Sequence, residues 1–203
     1  MLTVEQAEKE MEKAERLTPG QWAAHSRVAA DCARRIALAC GMDSDRAYVS
    51  GLLHDIGRRN GSWNIQHIFD GYEYLTSINE PLLARISMTH SFPIGTDPTK
   101  YVGTLSCDDE KKRFIVDYYR ANVDEYDDYD LLIQLCDSLA LPSGAVIIEK
   151  RLVDVALRHG PKENTVEKWN AFFAIKKRFD KKCGRNIYTL LPDIAENSLK
   201  DLS

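Results

Sequence analysis

The sequence predicts an all-α protein that folds as a single helical bundle over residues 1–203. Apolar residues recur at three- and four-residue steps, for example at Val28, Cys32 and Ile36, which is the period of a helix. Alternating strand patterns are scarce and limited to short pieces such as Tyr101-Val102. A length of 203 residues is within the range of one domain, and we find neither an internal repeat nor a convincing linker.

End signals divide the chain into helices in order. Thr3 and Gln6 have the spacing of a capping box at the first helix, Gly41 closes the second, and Asp43 or Ser44 caps the third. The helices are predicted over residues 3–16, 22–40, 43–56, 64–78, 81–90, 108–121, 146–158 and 164–182, with a polar loop at 57–62 and an irregular insertion near 91–107. A further helix is predicted to start in the acidic run 124–128 and to carry Leu131, Leu132, Leu135 and Leu139. The helices over 145–185 are expected to pack on a motif core at about 20–142.

Composition narrows the class of protein. The net charge of −4 gives no general attraction to nucleic acid or to a membrane surface. No run of about 18 apolar residues indicates a membrane span, and no apolar signal core follows the N-terminus, so we expect a cytoplasmic protein. The cysteines are odd in number and lack a CxxC motif, which favours reduced, mostly buried thiols: Cys32, Cys40, Cys107, Cys136 and Cys183.

His54 and Asp55 stand side by side in the segment Gly51-Leu52-Leu53-His54-Asp55-Ile56-Gly57-Arg58, where Gly57 is interpreted as ending the helix. A histidine supplies a neutral nitrogen and an aspartate an anionic oxygen, a mixed set that suits Zn, Fe, Mn or Ni. A dipeptide alone is weak evidence. The hypothesis of a metal site gains support from the further residues that could act as ligands of the same ion.

Three further histidines, His25, His67 and His90, lie near predicted helix ends. Asp137 lies in the apolar segment Leu135-Cys136-Asp137-Ser138-Leu139-Ala140, where a buried carboxylate is costly unless a cation compensates it. Taken singly, each has an ordinary interpretation as a half-buried imidazole or a solvated carboxylate. Taken together with His54 and Asp55, they predict a metal site built from several helices.

The order His25, His54-Asp55, Asp137 resembles the signature of the HD-domain superfamily of metal-dependent phosphohydrolases. Residues 47–57 look like that family's central helix, residues 135–140 look like its last ligand segment, and the similarity covers roughly residues 20–142. His67 and His90 resemble the extra histidines of the dinuclear branch, which includes bacterial symmetrical diadenosine tetraphosphate hydrolases and cyclic-di-GMP phosphodiesterases.

The resemblance implies two divalent transition-metal ions (Fe, Mn, Zn, Ni or Co, with Mg also compatible). Asp55 would bridge them, His25, His54 and Asp137 would hold one, and His67 and His90 the other. A metal-activated water would then cleave a phosphoester or phosphoanhydride of a nucleotide or another small phosphorylated metabolite, with Asp55 and Arg58 as catalytic residues.

Substrate contacts are predicted beside the motif. Arg58 and Arg59 could clamp a phosphate bidentately or form a solvated pair on a polar loop. Arg85 and Lys100 are weaker candidates for the same role, and Trp63 or Tyr101 could stack on a base. The chain lacks the Glu-Asp motif that follows the His-Asp pair in (p)ppGpp hydrolases and the Gly-Tyr-Pro motif of cyclic-di-GMP enzymes.

Two other functions stay open. Some HD-fold proteins use a mixed-valent di-iron centre to oxidise C–H bonds, and the same six ligands could serve that chemistry. A metal-stabilised module that binds a nucleotide without catalysis is the third interpretation. The sequence leaves the oligomeric state open, a homodimer included. The basic stretch 176–185 could touch RNA or a polyphosphate, but it is better explained as the solvated end of a helix.

Overall fold

The computed structural model describes residues 1–62, 64–94, 96, 99 and 108–200, and its architecture is all-α, as predicted. A two-stranded antiparallel hairpin, β1 (Ala140–Leu141) with β2 (Gly144–Ala145), pairs Ala140 with Ala145 and Leu141 with Gly144. Short 3-10 helices cover Ile56–Asn60, Val123–Glu125 and Ile187–Leu190. The α-helices are α1 (Val4–Leu17), α2 (Gln21–Ala39), α3 (Ser44–Leu53), α4 (Gln66–Ser77), α5 (Pro81–Thr89), α6 (Asp109–Asn122), α7 (Asp128–Asp137), α8 (Ile148–His159), α9 (Thr165–Cys183) and α10 (Ile194–Leu199).

The helix ends follow their local signals with a few differences. The capping box of Thr3 and Gln6 is present, and Asp43 caps α3 through the N–H groups of Asp45 and Arg46. The third helix ends at Leu53 rather than at residue 56, and the expected polar loop at 57–62 is largely the 3-10 helix Ile56–Asn60. The hairpin and α10 were not predicted. Most of the insertion near 91–107, with the Tyr101-Val102 piece, lies outside the described residues.

The close contact of α2 with α3 depends on Gly51. A Cβ at this position would lie 2.8 Å from the Cα of Ala30 on α2, a distance that real Cβ contacts do not reach. The two backbones therefore approach as closely as the absence of a side chain allows. The contact brings the end of α3, and with it His54, against the first turns of α2.

Gly57 has a similar role, which the sequence interpretation missed. It does not end a helix with a left-handed conformation; it lies inside the 3-10 helix Ile56–Asn60. A Cβ on Gly57 would lie 2.0 Å from the carbonyl oxygen of His67 and 2.4 Å from the backbone nitrogen of Gly71. Glycine here lets the segment after Asp55 pack directly on the backbone of α4.

The N-terminal helix α1 packs on this assembly through an apolar face and polar contacts. Its buried residues Ala7, Met11 and Ala14 belong to the same core as Leu52 and Leu53 of α3. This burial explains why a charged helix stays docked on the bundle.

The cysteine prediction was wrong for one pair. Cys40 at the end of α2 and Cys183 at the end of α9 form a disulfide, with 4.6 Å between their Cα atoms. Cys32 and Cys136 are free and buried, as expected, and Cys107 lies outside the described residues. The pairing joins residues 143 positions apart, so spacing along the chain could not reveal it. In the described part of the chain, none of the helices combines the length and apolarity needed to span a bilayer.

Candidate metal centre

The six predicted ligands come together where five helices meet. His54 follows the last residue of α3 and is itself followed by Asp55, whereas His90 caps the end of α5. The remaining three lie on helices at or near their ends: His25 in α2, His67 in the first turn of α4 and Asp137 as the last residue of α7. All are buried except Asp137, whose side chain is 24% exposed. The cluster is therefore enclosed, with its most open side at Asp137.

Distances within the cluster are short. Nε2 of His25 lies 3.0 Å from Oδ1 of Asp137, and Nε2 of His67 lies 2.9 Å from Oδ1 of Asp55. Nε2 of His90 is 3.6 Å from the same Asp55 oxygen, and Nε2 of His54 is 3.9 Å from the other, Oδ2. Asp55 thus has imidazole nitrogens on both of its oxygens.

Three overlapping sets of ligand atoms have the compactness of a metal site. In each set, the ligand atoms lie within 4.8 Å of one another. Asp55 belongs to two sets, and each of the six residues belongs to at least one. The sets are His25, His54 and Asp55; His54, His90 and Asp137; and Asp55, His67 and His90.

The four histidine rings are held through the same nitrogen, Nδ1. Each Nδ1 contacts a backbone carbonyl oxygen: Gly51 at 2.7 Å for His54, Ser87 at 2.8 Å for His90, Ala140 at 3.1 Å for His25 and Asn64 for His67. A carbonyl only accepts, so Nδ1 carries the hydrogen and Nε2 faces the cluster. Metal-binding histidines are typically held in this way. At positions 54, 67 and 90 the acceptor lies three residues earlier, so the local chain alone orients the ring.

Burial keeps two of these rings neutral. It lowers the pKa of His54, and it lowers the pKa of His90 to about 3, with the neighbouring His54 adding to the effect. Near neutral pH the Nε2 atom of each of these two rings is therefore unprotonated and carries a free lone pair. Deprotonated imidazole is the form that binds metals.

The carboxylates stay charged. For Asp55, burial raises the pKa, but the charge of Arg58 and the contact with His67 outweigh it and hold the pKa well below its usual range. For Asp137, burial likewise raises the pKa, but the contact of its carboxylate with His25 outweighs it, and the pKa falls. The cluster therefore combines anionic carboxylate oxygens with the neutral nitrogens of His54 and His90.

The donor set fits a divalent cation. Nε2 of His54 and Oδ1 of Asp55 are buried without a hydrogen-bond partner. Buried acceptors in this state cost about 1–3 kcal/mol each. A bound ion would satisfy both, and mixed imidazole and carboxylate ligands suit first-row transition metals.

The two predicted phosphate-binding arginines point to different places. Nε of Arg58 lies 2.6 Å from Oδ2 of Asp55, so its guanidinium is part of the cluster's surroundings. The Arg59 guanidinium lies 3.8 Å over the ring of Tyr74, and its contacts do not bring it into the cluster. The weaker candidate Arg85 is ion-paired with Asp127 and Asp130. Trp63, Lys100 and Tyr101 lie outside the described residues.

Sequence reasoning missed a second layer of polar residues behind the cluster. Asp130 and Gln134 of α7 are fully buried and contact the end of α5. Their only signal in the sequence is spacing, because Gln134 precedes Asp137 by three residues and so shares its helix face.

Comparison with known proteins identifies the family of the chain. The family model described as "HD domain" matches residues 22–141. No curated protein matches. Among solved structures, the HD domain of the L. monocytogenes phosphodiesterase PgpH, in complex with cyclic-di-AMP, is similar at 16% identity and a TM-score of 0.49, over 96% of this chain and 99% of that one. Because the family match covers more than half of the chain, the chain belongs to the HD domain family.

Proposed function

We propose that the protein is a metal-dependent phosphohydrolase that cleaves a phosphoester or phosphoanhydride of a nucleotide or another small phosphorylated metabolite. One observation supports this most: Asp55 presents one oxygen to His67 and His90 and the other to His54 and Arg58. A carboxylate shared in this way is the natural link between two ions. Membership of the HD family supports the same reaction class.

In this proposal, His25, His54 and Asp137 hold one ion, and His67 and His90 hold the other. Bound divalent ions of the Fe, Mn, Zn, Ni or Co type, or Mg, lower the pKa of a water and neutralise phosphoryl oxygens. Asp55 would contribute to both positions, because its oxygens face opposite halves of the cluster. The rings stay oriented because each Nδ1 is held by a backbone carbonyl.

The exposure of Asp137 and the charge of Arg58 indicate how a substrate would reach and contact the site. Asp137 is the most exposed of the six ligands, so the substrate enters from its side. Arg58 holds Asp55 through Nε, and its side chain is 21% exposed. The other guanidinium nitrogens of Arg58 are then the groups that meet a substrate phosphate.

The test compares wild type with Asp55→Ala and, as a matched control, Asp117→Ala, whose carboxylate is 76% exposed on α6. Each protein is loaded with one metal element at a time under anaerobic conditions. It is then incubated with nucleoside phosphates, diadenosine tetraphosphate and cyclic dinucleotides. We expect phosphate or nucleotide release by wild type and Asp117→Ala, and none by Asp55→Ala with an unchanged circular dichroism spectrum.

Other outcomes would overturn the proposal. Turnover by Asp55→Ala at the wild-type rate would remove the assigned role of the cluster. Absence of hydrolysis together with an oxygen-dependent colour change of the iron-loaded protein would favour the di-iron oxygenase. Nucleotide binding without hydrolysis under any metal would favour the non-catalytic module.

A further inference from the structure

Helix α7 contacts both halves of the candidate metal centre. Its last residue, Asp137, lies against His25. One turn earlier, the fully buried Gln134 reaches the end of α5. Nε2 of Gln134 lies 3.1 Å from the carbonyl oxygen of Thr89 and 3.3 Å from that of Phe92. These two carbonyls lie on either side of His90.

The end of α5 needs such partners. The last carbonyls of a helix have no partner within the helix. At this end, the backbone N–H of His90 donates to the carbonyl oxygen of Ile86, and Nδ1–H of its ring donates to the carbonyl oxygen of Ser87. The carbonyl of Thr89 receives the N–H of Phe92 and the amide of Gln134. Gln134 is thus a side chain from another helix whose amide hydrogen bonds fix the backbone on both sides of His90.

A second contact holds the same point. The Thr89 hydroxyl donates to Oδ1 of Asp130 at 3.2 Å, and the Arg85 guanidinium lies 2.8 Å from the other Asp130 oxygen. The residue before His90 is therefore bound to α7 through both its hydroxyl and its carbonyl. These hydrogen bonds are buried, where a lost partner leaves an acceptor unsatisfied.

We propose that Gln134 is a positioning residue for His90 and thereby determines the retention of the ion held by His67 and His90. The inference rests on the two-ion assignment of the proposed function. The ion held by His25, His54 and Asp137 depends less on this amide. Although the His90 ring lies against His54, the amide of Gln134 bonds only the backbone around His90, whereas His54 and His25 are held by the carbonyls of Gly51 and Ala140. Metal–ligand distances in a site lie within about 0.2 Å of their usual values. A displacement of His90 after loss of the amide would therefore weaken binding of the ion held by His67 and His90, here called the second ion, before that of the other ion.

The experiment measures metal per chain on the full-length protein. Wild type, Gln134→Met and Ile133→Val are equilibrated with buffered Mn²⁺ or Zn²⁺, and bound metal is determined by mass spectrometry across the series. Methionine keeps the length of the glutamine side chain but removes the donor. Ile133→Val is the control for altered packing, since Ile133 is a fully buried aliphatic neighbour on the same helix.

We expect two ions in wild type and in Ile133→Val. In Gln134→Met, the first ion should be retained and the affinity for the second should fall at least tenfold. Two ions at wild-type affinity in Gln134→Met would overturn the proposal, as would a wild type that binds a single ion. Neither readout depends on catalysis, so failure of the hydrolase assignment would be seen separately in the substrate panel.

A double variant identifies which ion is affected. His67→Ala should lose the second ion by itself, so adding Gln134→Met should cause no further loss of metal. Loss of the remaining ion in the double variant would contradict the proposal. If Gln134→Met fails to fold, Gln134→Asn tests the same point, because its amide is one methylene too short to reach both carbonyls. We then expect weaker retention of the second ion alone, and wild-type retention in Gln134→Asn would overturn the proposal.

Discussion

Nε2 of His90 faces Oδ1 of Asp55 across 3.6 Å, while Nδ1 of the same ring lies 2.8 Å from the carbonyl oxygen of Ser87. The carbonyl accepts a hydrogen bond from Nδ1–H of the ring, and the lowered pKa of His90 keeps the ring neutral. A lone pair therefore faces a carboxylate in a buried site. Nε2 of His90 and Oδ1 of Asp55 both offer electron pairs, so neither can donate a hydrogen bond to the other. A cation between them would satisfy both.

Metal should therefore stabilise the folded protein. An ion present at 100 times its dissociation constant adds about 2.7 kcal/mol to the free energy of unfolding, so chelation should lower the melting temperature and readdition should restore it. Thermal unfolding with Mn²⁺, Fe²⁺, Co²⁺, Ni²⁺, Zn²⁺ and Mg²⁺ measures the effect, and His54→Ala should respond less. An unchanged melting temperature with all six ions would contradict the interpretation of the cluster.

The two adjacent arginines should behave differently on substitution. Arg58 contacts Asp55, whereas Arg59 stacks on Tyr74. We expect Arg58→Ala to lower kcat/KM for a phosphorylated substrate at least tenfold. Arg59→Ala should leave kcat/KM within about twofold and instead lower stability, by about 0.5–1 kcal/mol for the lost cation–π contact. Steady-state kinetics and urea denaturation check both parts, and the reverse pattern would refute the assignment.

Gly57→Ala should disturb the cluster without adding or removing a ligand. Its Cβ would overlap the carbonyl oxygen of His67 at 2.0 Å, and the backbone must move to relieve the contact. We expect a loss of about 1–3 kcal/mol in the free energy of unfolding together with reduced metal content. Asn60→Ala, exposed on the same 3-10 helix, is the control and should change stability by less than about 0.5 kcal/mol. A Gly57→Ala protein with wild-type stability would show that the two segments are not in contact.

The buried carboxyl of Asp130 should make stability depend on pH. Burial raises its pKa from 3.8 to about 6, although the Asp127 N–H and the Arg85 charge act in the opposite direction, and the neighbouring Asp127 carboxylate adds to the rise. Between these values the folded state keeps a proton that the unfolded state has lost, so this group's contribution to stability falls as pH rises from about 4 to 6.

Asp130→Asn removes that titration. The difference in unfolding free energy between wild type and the variant should therefore decrease across the window, by at most about 3 kcal/mol for two pKa units. Urea denaturation of both metal-free proteins from pH 4 to 7 measures it. A difference that stays constant with pH would show that the carboxyl titrates normally.

The disulfide should be detectable and stabilising. A bond between Cys40 and Cys183 closes a loop of more than 100 residues, for which chain entropy predicts about 4–5 kcal/mol. A reducing agent should lower the melting temperature of wild type and leave that of the Cys40→Ser, Cys183→Ser double variant unchanged. Mass spectrometry of an unreduced digest should find the linked peptides, and recovery of both cysteines as free thiols would disprove the bond.

The sequence by itself determined what depends on neighbouring residues. The capping box of Thr3 and Gln6 and the cap at Asp43 are interactions within three residues, and their helices begin where these residues predict. The ligand residue types and the family resemblance were also readable, because the segment around His54 and Asp55 is continuous. Even the ring orientation of His54 and His90 is local, since the acceptor carbonyl lies three residues away.

Only the tertiary structure decided which distant groups meet. The separation of Arg58 from Arg59, the Cys40–Cys183 pair and the contact of Gln134 with Thr89 all depend on how helices pack. Partners 45 or 143 residues apart leave no periodic trace in the chain. Their contacts come from the burial of apolar faces and from close backbone approaches, which act through the whole fold rather than through neighbouring residues.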